Sequence, residues 1–460
     1  MSDGNGEPSR PGERVLLSGW GRTSPTAAEL VRPRDLGDVL DEVRNAGPRG
    51  VLARGLGRAY GDSAQNAGGR VLHGPSLSGL LDIDLAAPRI TVRAGTSLDD
   101  IIRWLVPLGL FVPVTPGTRS VTVGGAIAAD IHGKNHHVKG SWCDHVESFR
   151  LVDGFGEVRD VSRESDPQLF WATAGGMGLT GVVVDATVRM QPIESSMLLV
   201  DTDRAPDLDS VMQLMVEGDD RYDYSVAWID LIARGSAMGR SVLDRGRFAT
   251  REEVLAAGIT DPYRYHPHHV ASAPDVFPSG LLNKLSIRAF NELWYRKAPK
   301  VRRDHLMTIE AFFHPLDMVT GWNRMYGSRG FLQWQFAVSD ERSDVIRTAV
   351  QRLSDAGASS FLAVLKRFGP GNDGYLSFPM KGWTLALDIP VGVGLDRLLD
   401  ELEELVVEAG GRIYLAKDSR VRPELIPEMY PRLDEWRKVR ESVDPAERFR
   451  SDMARRLRLF

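Results

Sequence analysis

The sequence predicts an α+β protein with an antiparallel main sheet, on the strength of three patterns. Residues 331–416 follow the order strand, helix, strand, strand, helix, strand, which is a split βαβ pattern. Residues 50–188 combine glycine-rich loops with short β-like runs, and residues 418–460 return to a helical, arginine-rich pattern. We therefore expect two domains, the second of which has a sheet with helices on one face.

Within the first domain, local signals place several elements. Ser97 and Asp100 form a capping-box pattern that opens a helix ending near Leu108. Two β-like runs, FRLVD and EVRDV, flank Gly154-Phe155-Gly156 and predict a hairpin. Residues 50–54 and 90–94 are short β-like runs and are predicted as further strands.

From about residue 196 the pattern changes. Two amphipathic helices are predicted at 343–356 and 395–409, each stopped by glycine. Residues 258–304 show irregular spacing and many prolines, which is typical of a long functional or disordered excursion. Strands are predicted at 222–233, 307–313, 331–338, 361–368, 384–390 and 412–416.

Composition excludes several classes of protein. The chain has 460 residues, with 57 Lys and Arg against 62 Asp and Glu and a formal net charge of -5. A protein that mainly coats nucleic acid needs a basic excess, so that class is disfavoured. The single cysteine, Cys143, excludes an intramolecular disulfide, a CxxC redox pair and a Cys-rich zinc module.

The N-terminal segment and the apolar runs of the chain indicate where the protein is located relative to the membrane. Residues 1–15 are polar and rich in glycine and proline, so we predict a disordered leader and no signal peptide. No window approaches the ~18 apolar residues of a membrane span. We expect a protein that is soluble or peripheral at the membrane, and the side of the membrane stays open.

Three glycine-rich segments carry the strongest functional signal. Gly55-Leu56-Gly57 begins like a dinucleotide fingerprint, but Tyr60 replaces the third glycine and no amphipathic helix follows. For this loop alone a plain turn is the better interpretation. A second loop at 116–133 and a third cluster at 175–181 favour anion binding over plain turns, because glycines let backbone N–H groups converge on an anion. We expect one long, diphosphate-bearing cofactor between the first two loops.

These segments also carry a family resemblance. RGLGRAYGDSAQN, PGTRSVTVGGAIAADIHGKNHH, LFWATAGGMGLTG, ELWYRK, FFHPLDM, YLAKDSR and SDMARRL stand in this order along the chain. They resemble the vanillyl-alcohol-oxidase/PCMH-type FAD-binding fold, and most closely the FAD-containing oxidase subunits of actinobacterial decaprenylphosphoryl-β-D-ribose 2′-epimerases. The resemblance implies an FAD-binding domain at 16–195 and 414–460, and a substrate domain at 196–413 with a flexible flap at 258–304.

The resemblance also implies the cofactor contacts. Many relatives attach FAD covalently through a histidine of the first loop, but Tyr60 stands there in this chain, so we expect non-covalent FAD. The cofactor-binding residues are expected to be Ala53, Arg54, Gly55, Leu56, Gly57, Arg58, Ala59, Tyr60, Gly61, Asp62, Ser63, Gly117, Thr122, Val123, Gly124, Gly125, Ala129, Asp130, Ile131, His132, Val183 and Tyr414.

The implied reaction is oxidation of the 2′-hydroxyl of decaprenylphosphoryl-β-D-ribose to a 2′-keto sugar. Hydride goes to flavin N5, Lys417 is the candidate base, and His132 matches a histidine beside the flavin. An NADH-dependent keto-reductase partner then completes epimerisation to the arabinose donor of cell-wall arabinan. A soluble alditol or aldonolactone substrate is the alternative, and a non-catalytic envelope scaffold would lack a flavin spectrum.

The implied substrate pocket draws on scattered residues. Gln333 and Gln335 alternate along one predicted strand and therefore face the same way. We expect Lys366 on the neighbouring strand to join them. The remaining substrate-binding candidates are Lys134, Trp228 and Ala386, the last of which stands where several relatives carry a cysteine.

Two further interpretations concern metal and membrane. Asp130, His132, His136 and His137 could be read as a metal cluster, but their spacing lacks a clear ligand geometry, so we predict no metal. Apolar, aromatic and basic residues interleave across 258–304, which suits a flap over a lipid-linked sugar phosphate. We therefore expect peripheral contact with a membrane, and no nucleic-acid partner.

Overall fold

The first part of the chain folds into two sheets. The computed structural model describes residues 12–267, 271–274, 284–358, 360, 362–392 and 394–460. The strands here are β1 (Glu13–Leu17), β2 (Thr26–Val31), β3 (Val51–Arg54), β4 (Arg70–His73), β5 (Leu80–Asp84), β6 (Arg89–Arg93), β7 (Leu110–Phe111), β8 (Val146–Val152), β9 (Val158–Ser162), β10 (Val182–Arg189) and β11 (Gln191–Pro192). The helices are α1 (Leu36–Arg44), α2 (Leu98–Leu105), α3 (Val123–Ala128), α4 (His136–Lys139) and α5 (Pro167–Thr173).

The strand order separates these two sheets clearly. One sheet has the order β1-β2-β4-β3, in which β2, β4 and β3 are parallel. The other has the order β5-β6-β10-β8-β9 and is antiparallel. The predicted capping box is confirmed, since the Ser97 side chain accepts from the Asp100 backbone at the start of α2. The predicted hairpin is confirmed as β8 and β9.

The second part is built on one large sheet. Its strands are β12 (Met197–Ala205), β13 (Tyr224–Ile229), β14 (Ser241–Phe248), β15 (Ala271–Ser272), β16 (Val301–Thr308), β17 (Val319–Thr320), β18 (Phe331–Val338), β19 (Ala363–Phe368), β20 (Gly382–Pro390) and β21 (Arg412–Ile413). Its helices, and those that follow it, are α6 (Leu208–Gly218), α7 (Arg251–Ala256), α8 (Lys284–Lys297), α9 (Ile309–Phe313), α10 (Asp344–Ala356), α11 (Leu395–Glu408), α12 (Ile426–Met429), α13 (Leu433–Val443) and α14 (Asp452–Arg456).

The large sheet has eight antiparallel strands in the order β16-β12-β14-β13-β19-β20-β18-β21. Its last four strands, with α10 and α11, are the split βαβ unit that the sequence predicts. The two helices pack side by side. Leu399, Leu402 and Val406 of α11 are fully buried, as the predicted apolar face requires.

The C-terminal residues return to the first part of the chain. Phe449 forms a parallel bridge with Val51 of β3. The indole of Trp436 on α13 donates to the carbonyl of Ala172 at 3.0 Å, and α13 packs on α5. The end of the chain therefore packs against β3, the strand that leads into the first glycine-rich loop.

Three predictions about elements are wrong in part. The strand predicted at 307–313 stops at Thr308, whose side chain accepts from the Ala311 backbone and so begins α9. The last predicted strand covers only β21. The leader predicted at 1–15 ends too late, because β1 already pairs with β2 from Glu13, while residues 1–11 lie outside the described part.

The excursion at 258–304 is more regular than its sequence suggests. It contains β15, the 14-residue helix α8 and the start of β16, while 268–270 and 275–283 lie outside the described residues. Among the described residues, no helix combines the length and apolar character needed to cross a membrane.

Candidate active site

One cavity of about 540 Å³ lies between the glycine-rich loops and the eight-stranded sheet. Its size falls in the range typical of small-molecule and cofactor pockets. One wall is formed by the loops after β3 and around α3, and the opposite wall by side chains of β13, β18, β19 and β20. The residues just after β21 close the floor. The first and second parts of the chain thus supply different faces of a single site.

The loop wall depends on close backbone packing. A Cβ added at Gly55 would lie 2.3 Å from Oγ1 of Thr122, so the two loops touch where the first one carries no side chain. Thr122 itself caps α3 by accepting from the Gly125 backbone. Arg54 fastens the first loop, because its guanidinium donates to the carbonyls of Ser18 at 2.7 Å and Ala64 at 2.8 Å.

This wall fits a diphosphate-bearing cofactor such as FAD. Gly117 and Gly178 both line the cavity, and a Cβ added at either would meet no protein atom within 4 Å. Gly57 and Gly178 have φ values of 66° and 74°, which a residue with a Cβ adopts only with strain. Open backbone from three loops can approach a diphosphate closely, as anion-binding loops do.

Most of the predicted cofactor residues line this cavity. They are Ala53, Arg54, Gly55, Leu56, Gly57, Arg58, Ala59, Tyr60, Ser63, Gly117, Thr122, Gly124, Gly125, Ala129, Ile131, His132, Val183 and Tyr414. Four others lie outside the wall, namely Gly61, Asp62, Val123 and Asp130. Gly61 packs against the Asp418 carbonyl, which an added Cβ would approach to 1.9 Å, and Val123 is fully buried in the core.

The two predicted carboxylates outside the wall have structural partners. Asp62 receives two hydrogen bonds from the Arg456 guanidinium, at 2.9 and 2.7 Å, and so ties the first loop to α14. Asp130 is fully buried and accepts from the Ser377 hydroxyl at 2.5 Å and the Asn372 amide at 2.8 Å. These carboxylates fix the loops and do not line the cavity, and their assignment as cofactor contacts stays a prediction.

Lys417 sits where the two walls meet. Its Nζ lies 4.0 Å from the centre of the Tyr60 ring, a cation–π contact. Burial lowers the pKa of Lys417 to about 8, and the Asp388 carboxylate raises it in opposition. A lysine with a pKa near the working pH holds a useful fraction of free amine, which is what a general base requires.

His132, in the loop after α3, also lines the cavity. The amide nitrogen of Gln335 lies 2.9 Å from Nε2 of His132 and 3.1 Å from the Thr384 hydroxyl. The imidazole packs against the rings of Phe368 and Tyr414, at 4.9 and 5.1 Å between ring centres. Burial lowers the pKa of His132 well below its usual value, so the ring is neutral.

Two further lysines enter the cavity, Lys366 from β19 and Lys134 from the loop between α3 and α4. Burial, together with the charges of Lys417 and Lys134, lowers the pKa of Lys366 to about 7. Burial lowers the pKa of Lys134 to about 8, and its Nζ lies 4.3 Å from the centre of the Phe312 ring. An anion that entered would raise both pKa values, because an opposite charge favours the ammonium form.

The predicted substrate residues all line the cavity, with one correction to the sheet. They are Lys134, Trp228, Gln333, Gln335, Lys366 and Ala386. Lys366 lies on β19 and not on the strand next to Gln333, because β20 is inserted between them. Ala386 of β20 faces Gln335 on one side and Val364 on the other, which places it at the centre of this wall.

The four residues that could be read as a metal cluster have other contacts. His136 packs on the Phe368 ring at 4.5 Å between ring centres, and Nε2 of His137 lies 3.0 Å from the Tyr222 carbonyl. Asp130 accepts hydrogen bonds from Ser377 and Asn372. In the part of the chain that the structure describes, no three His, Cys, Asp or Glu side chains are placed to hold a metal ion.

Two carboxylates near the site escaped the sequence reasoning. Asp317 accepts from the Thr118 hydroxyl at 2.7 Å and the Arg119 backbone at 2.8 Å, and so anchors the second loop. Asp388 accepts from Gln333 at 2.5 Å. A signal for Asp388 was present, since alternation along β20 places it on the same face as Ala386.

Comparisons with known proteins agree with this arrangement. Sequence profiles match an FAD binding domain at residues 27–162 and a D-arabinono-1,4-lactone oxidase domain at residues 367–457. The fold and the cavity define an FAD-binding oxidase of the vanillyl-alcohol-oxidase/PCMH type, which confirms the predicted fold and cofactor.

Full-length relatives narrow this class. The decaprenylphosphoryl-beta-D-ribose oxidase of Mycolicibacterium smegmatis is 45% identical over 448 residues, covering 96% of this chain and 97% of that protein. The chain belongs to the decaprenylphosphoryl-β-D-ribose oxidase family. An uncharacterized protein in the mprA 5′ region of Streptomyces coelicolor is 42% identical over 79% of this chain and all of its own length. L-gulonolactone oxidase 5 of Arabidopsis thaliana is 32% identical over only 25% of this chain.

Proposed function

We propose that this chain uses FAD to oxidise the 2′-hydroxyl of decaprenylphosphoryl-β-D-ribose to the 2′-keto sugar. The observation that carries the proposal is a lysine of lowered pKa, Lys417, on the cavity floor between the glycine loops and a sheet wall that carries Lys366 and two glutamines. The 45% identity to the mycobacterial oxidase across nearly the whole chain supports the choice of substrate over a soluble sugar. The lactone oxidases match a much shorter stretch.

FAD, bound without a covalent link, supplies the hydride acceptor in this proposal. The residues proposed to hold it are the loop-wall residues that line the cavity, together with Tyr414 and Val183. The domain that they form is proposed to span 16–195 and 414–460, with the substrate domain between. The packing of α13 on α5 and of Phe449 on Val51 supports a domain assembled from both ends.

Lys417 is proposed as the base. In its free-amine form it takes the proton of the 2′-hydroxyl while the C2′ hydrogen departs as hydride, so a C=O bond replaces the C–H and O–H bonds. His132 stays neutral and positioned by Gln335, which suits a group that orients a hydroxyl rather than one that holds charge. The reaction thus depends on placing one proton acceptor beside the sugar.

The phosphodiester of the substrate is proposed to lie near Lys366 and Lys134. A buried phosphate needs a cationic partner, because an unpaired charge is costly in a protein interior. Trp228 and the methyl group of Ala386 provide apolar surface beside the two lysines. Gln333 and Gln335 supply side-chain amides that can bond sugar hydroxyls.

The test is anaerobic bleaching of the flavin absorbance with a polyprenylphosphoryl ribose of short chain. We expect rapid bleaching with the phosphoryl ribose and at least 100-fold slower bleaching with free alditols or aldonolactones, because a buried cation left without its anion disfavours binding. Equal rates would favour the soluble-sugar oxidase, and a purified protein without a flavin spectrum would exclude both enzymes. Without an NADH-dependent keto-reductase partner, the 2′-keto product should accumulate.

We further propose that α8 contacts the membrane that holds the polyprenyl chain. Several large apolar residues of this helix are exposed, with Leu285 at 79% and Leu293 at 68%. Trp294 is exposed at 45% and also lines the cavity, so the helix connects the surface to the site. Lys297 at its end and Arg302 on β16 add positive charge that favours an anionic lipid surface.

Vesicle sedimentation tests this contact. Leu293→Ser combined with Leu285→Ser should reduce binding to anionic vesicles several-fold, and high salt should weaken binding of the wild type. Leu16→Ser is the matched control, because Leu16 is 74% exposed on β1, far along the chain from α8. If the control and the α8 variant bind vesicles equally well, α8 is not the contact.

A further inference from the structure

The face of the large sheet that lines the cavity carries an apolar row across β14, β13, β19 and β20. Val242 of β14 lies opposite Trp228 of β13. Trp228 in turn lies opposite Val364 of β19, and Val364 lies opposite Ala386 of β20. Residues directly opposite each other on antiparallel strands point to the same face, and all four line the cavity. From Val242 to Ala386 the row spans about 14 Å, because neighbouring strands lie about 4.8 Å apart.

The other face of these strands is already covered. Ala227, Leu365 and Leu385 alternate with the row along their strands, and they are buried in the same hydrophobic core as α10 and α11. Trp228 and Val364, in contrast, are only half-buried. The sheet thus has apolar side chains on both faces, but helices cover only one of them. Apolar surface on the cavity side favours a ligand that removes it from water.

Polar groups flank the row at its β20 end. Gln335 of β18 lies opposite Ala386, and its amide nitrogen is 2.9 Å from Nε2 of His132. Lys366 lies two residues from Val364 on β19, so its side chain points to the same face. Groups that can bond hydroxyls, a cation and an apolar surface therefore follow one another from β18 towards β14. A lipid-linked sugar phosphate has its sugar, phosphate and hydrocarbon chain in that order.

Helix α8 lies at the far end of the row. Arg204 of β12 lies opposite Val242, and its guanidinium is 5.1 Å from the centre of the Tyr295 ring on α8. The Tyr295 hydroxyl donates to the Ala205 carbonyl at 3.2 Å, which ties the helix to β12. The preceding residue, Trp294, lines the cavity and is also exposed. Apolar surface therefore extends from the cavity to the outside of the protein at α8.

We propose that the polyprenyl chain of the substrate binds across the strands along this row, from Ala386 to Val242, and leaves the cavity beside Trp294. The proposal rests on the proposed function and adds a subsite for the lipid chain to it. Asp244, two residues from Val242, also lines the cavity, and its carboxylate is a group that an apolar chain avoids. The chain therefore follows the Val242 side of β14.

The first test uses prenyl phosphates, which carry no ribose hydroxyl to oxidise. Dimethylallyl, geranyl and farnesyl phosphate are titrated into the flavin-loaded enzyme without vesicles and below their micelle concentrations, and calorimetry gives each Kd. We expect Kd to fall at least about tenfold with each added isoprene unit, because every CH₂ group that is buried favours binding. Equal Kd values for the three phosphates, or no binding of any of them, would overturn the proposal.

A substitution at the far end of the row tests where the chain lies. Val242→Thr keeps the shape of the side chain but adds a hydroxyl, so it should weaken farnesyl phosphate about tenfold and leave dimethylallyl phosphate unchanged. Val158→Thr is the matched control, since Val158 is an exposed valine of β9, and it should change neither Kd. A Val242→Thr enzyme that keeps the full gain from chain length contradicts the proposed path.

Photolabelling of the wild type locates the chain without any substitution. A farnesyl phosphate with a diazirine on its last isoprene unit loses N₂ on irradiation, and the resulting carbene inserts into a neighbouring bond. Mass spectrometry should find the adduct in the peptides that contain Trp228, Val242 or Trp294. Adducts only on the outer residues of α8, such as Leu285 and Leu293, or only on the loop wall, would show that the row is not the subsite.

The outcomes separate this subsite from the proposed function. If polyprenylphosphoryl ribose does not bleach the flavin, the proposed oxidation fails, while the dependence of Kd on chain length still establishes the lipid subsite. If bleaching occurs but Kd does not depend on chain length, the oxidation stands and the row is not where the chain binds.

Discussion

The loop wall of the cavity presents backbone, whereas the sheet wall presents side chains. Gly117 and Gly178 leave open main chain on one side, and Gln333, Lys366 and Trp228 project from strands on the other. Backbone binds any diphosphate in much the same way, so the loop wall suits a shared cofactor. Side chains on a rigid sheet can be exchanged singly, so the sheet wall is where substrate preference resides.

The two walls also differ in charge. The arginines of the loop wall are engaged in contacts within the protein, since Arg54 donates to backbone carbonyls and Arg58 stacks on Trp20 at 3.9 Å. The sheet wall carries Lys366, the floor carries Lys417, and the loop after α3 adds Lys134; burial lowers the pKa values of all three. The free-energy cost of burying these lysines is therefore concentrated on the substrate side, where a bound anion can reduce it.

The largest expected effect is the loss of the base where the walls meet. Lys417→Met should slow flavin bleaching by about 10²- to 10⁴-fold, the usual contribution of a general base, while the flavin content per chain stays constant. Lys381→Met, an exposed lysine beside β20, is the control and should retain the wild-type rate. A Lys417→Met enzyme that bleaches normally would remove Lys417 from the mechanism.

The next effect should appear only in the loop wall. Gly55→Val places a side chain against Thr122 and should cut flavin content at least about fivefold, because overpacking costs about 1–3 kcal/mol. Gly47→Val is the matched control, since a Cβ there meets no atom within 4 Å. The ratio of flavin absorbance to protein measures both. Equal flavin content in the two variants would contradict the proposed cofactor wall.

A smaller, graded effect should mark the sheet wall. Because burial lowers the pKa of Lys366 to about 7, its ammonium form is lost as the pH rises through 7, and phosphodiester affinity falls with it. KM for the phosphoryl ribose should rise by up to about tenfold per pH unit above 7. Lys366→Arg, which stays charged, should flatten this profile. An unchanged slope in that variant would assign the pH dependence to another group.

The smallest expected effect concerns thiol chemistry, in which the buried Cys143 is compared with a cysteine introduced at Ala386, the centre of the sheet wall. Cys143 is fully buried and burial raises the pKa of its thiol, so the native chain should form no adduct with iodoacetamide or with nitroaromatic compounds during turnover. Ala386→Cys should gain one adduct by intact-mass measurement while its turnover changes little. Adduct formation on the native chain would show that Cys143 becomes accessible.

Local patterns in the sequence were enough for much of the fold. The capping box at Ser97, the hairpin of β8 and β9, and the split βαβ unit all follow from residues near each other in the chain. The glycine loops were predictable for the same reason, because closely spaced glycines in the sequence identify a loop whose backbone carries few Cβ atoms. Helix α8 was missed, since its exposed apolar side chains break the usual amphipathic pattern.

The sequence by itself determined which residue types meet the cofactor and which lysines and glutamines are available. The tertiary structure alone decided that Asp62 and Asp130 serve the scaffold and that β20 separates Lys366 from Gln333. The physical reason is that strand order and burial are set by the packing of the whole sheet. A carboxylate such as Asp62 becomes the partner of an arginine as far along the chain as Arg456 only when the fold brings the two segments together.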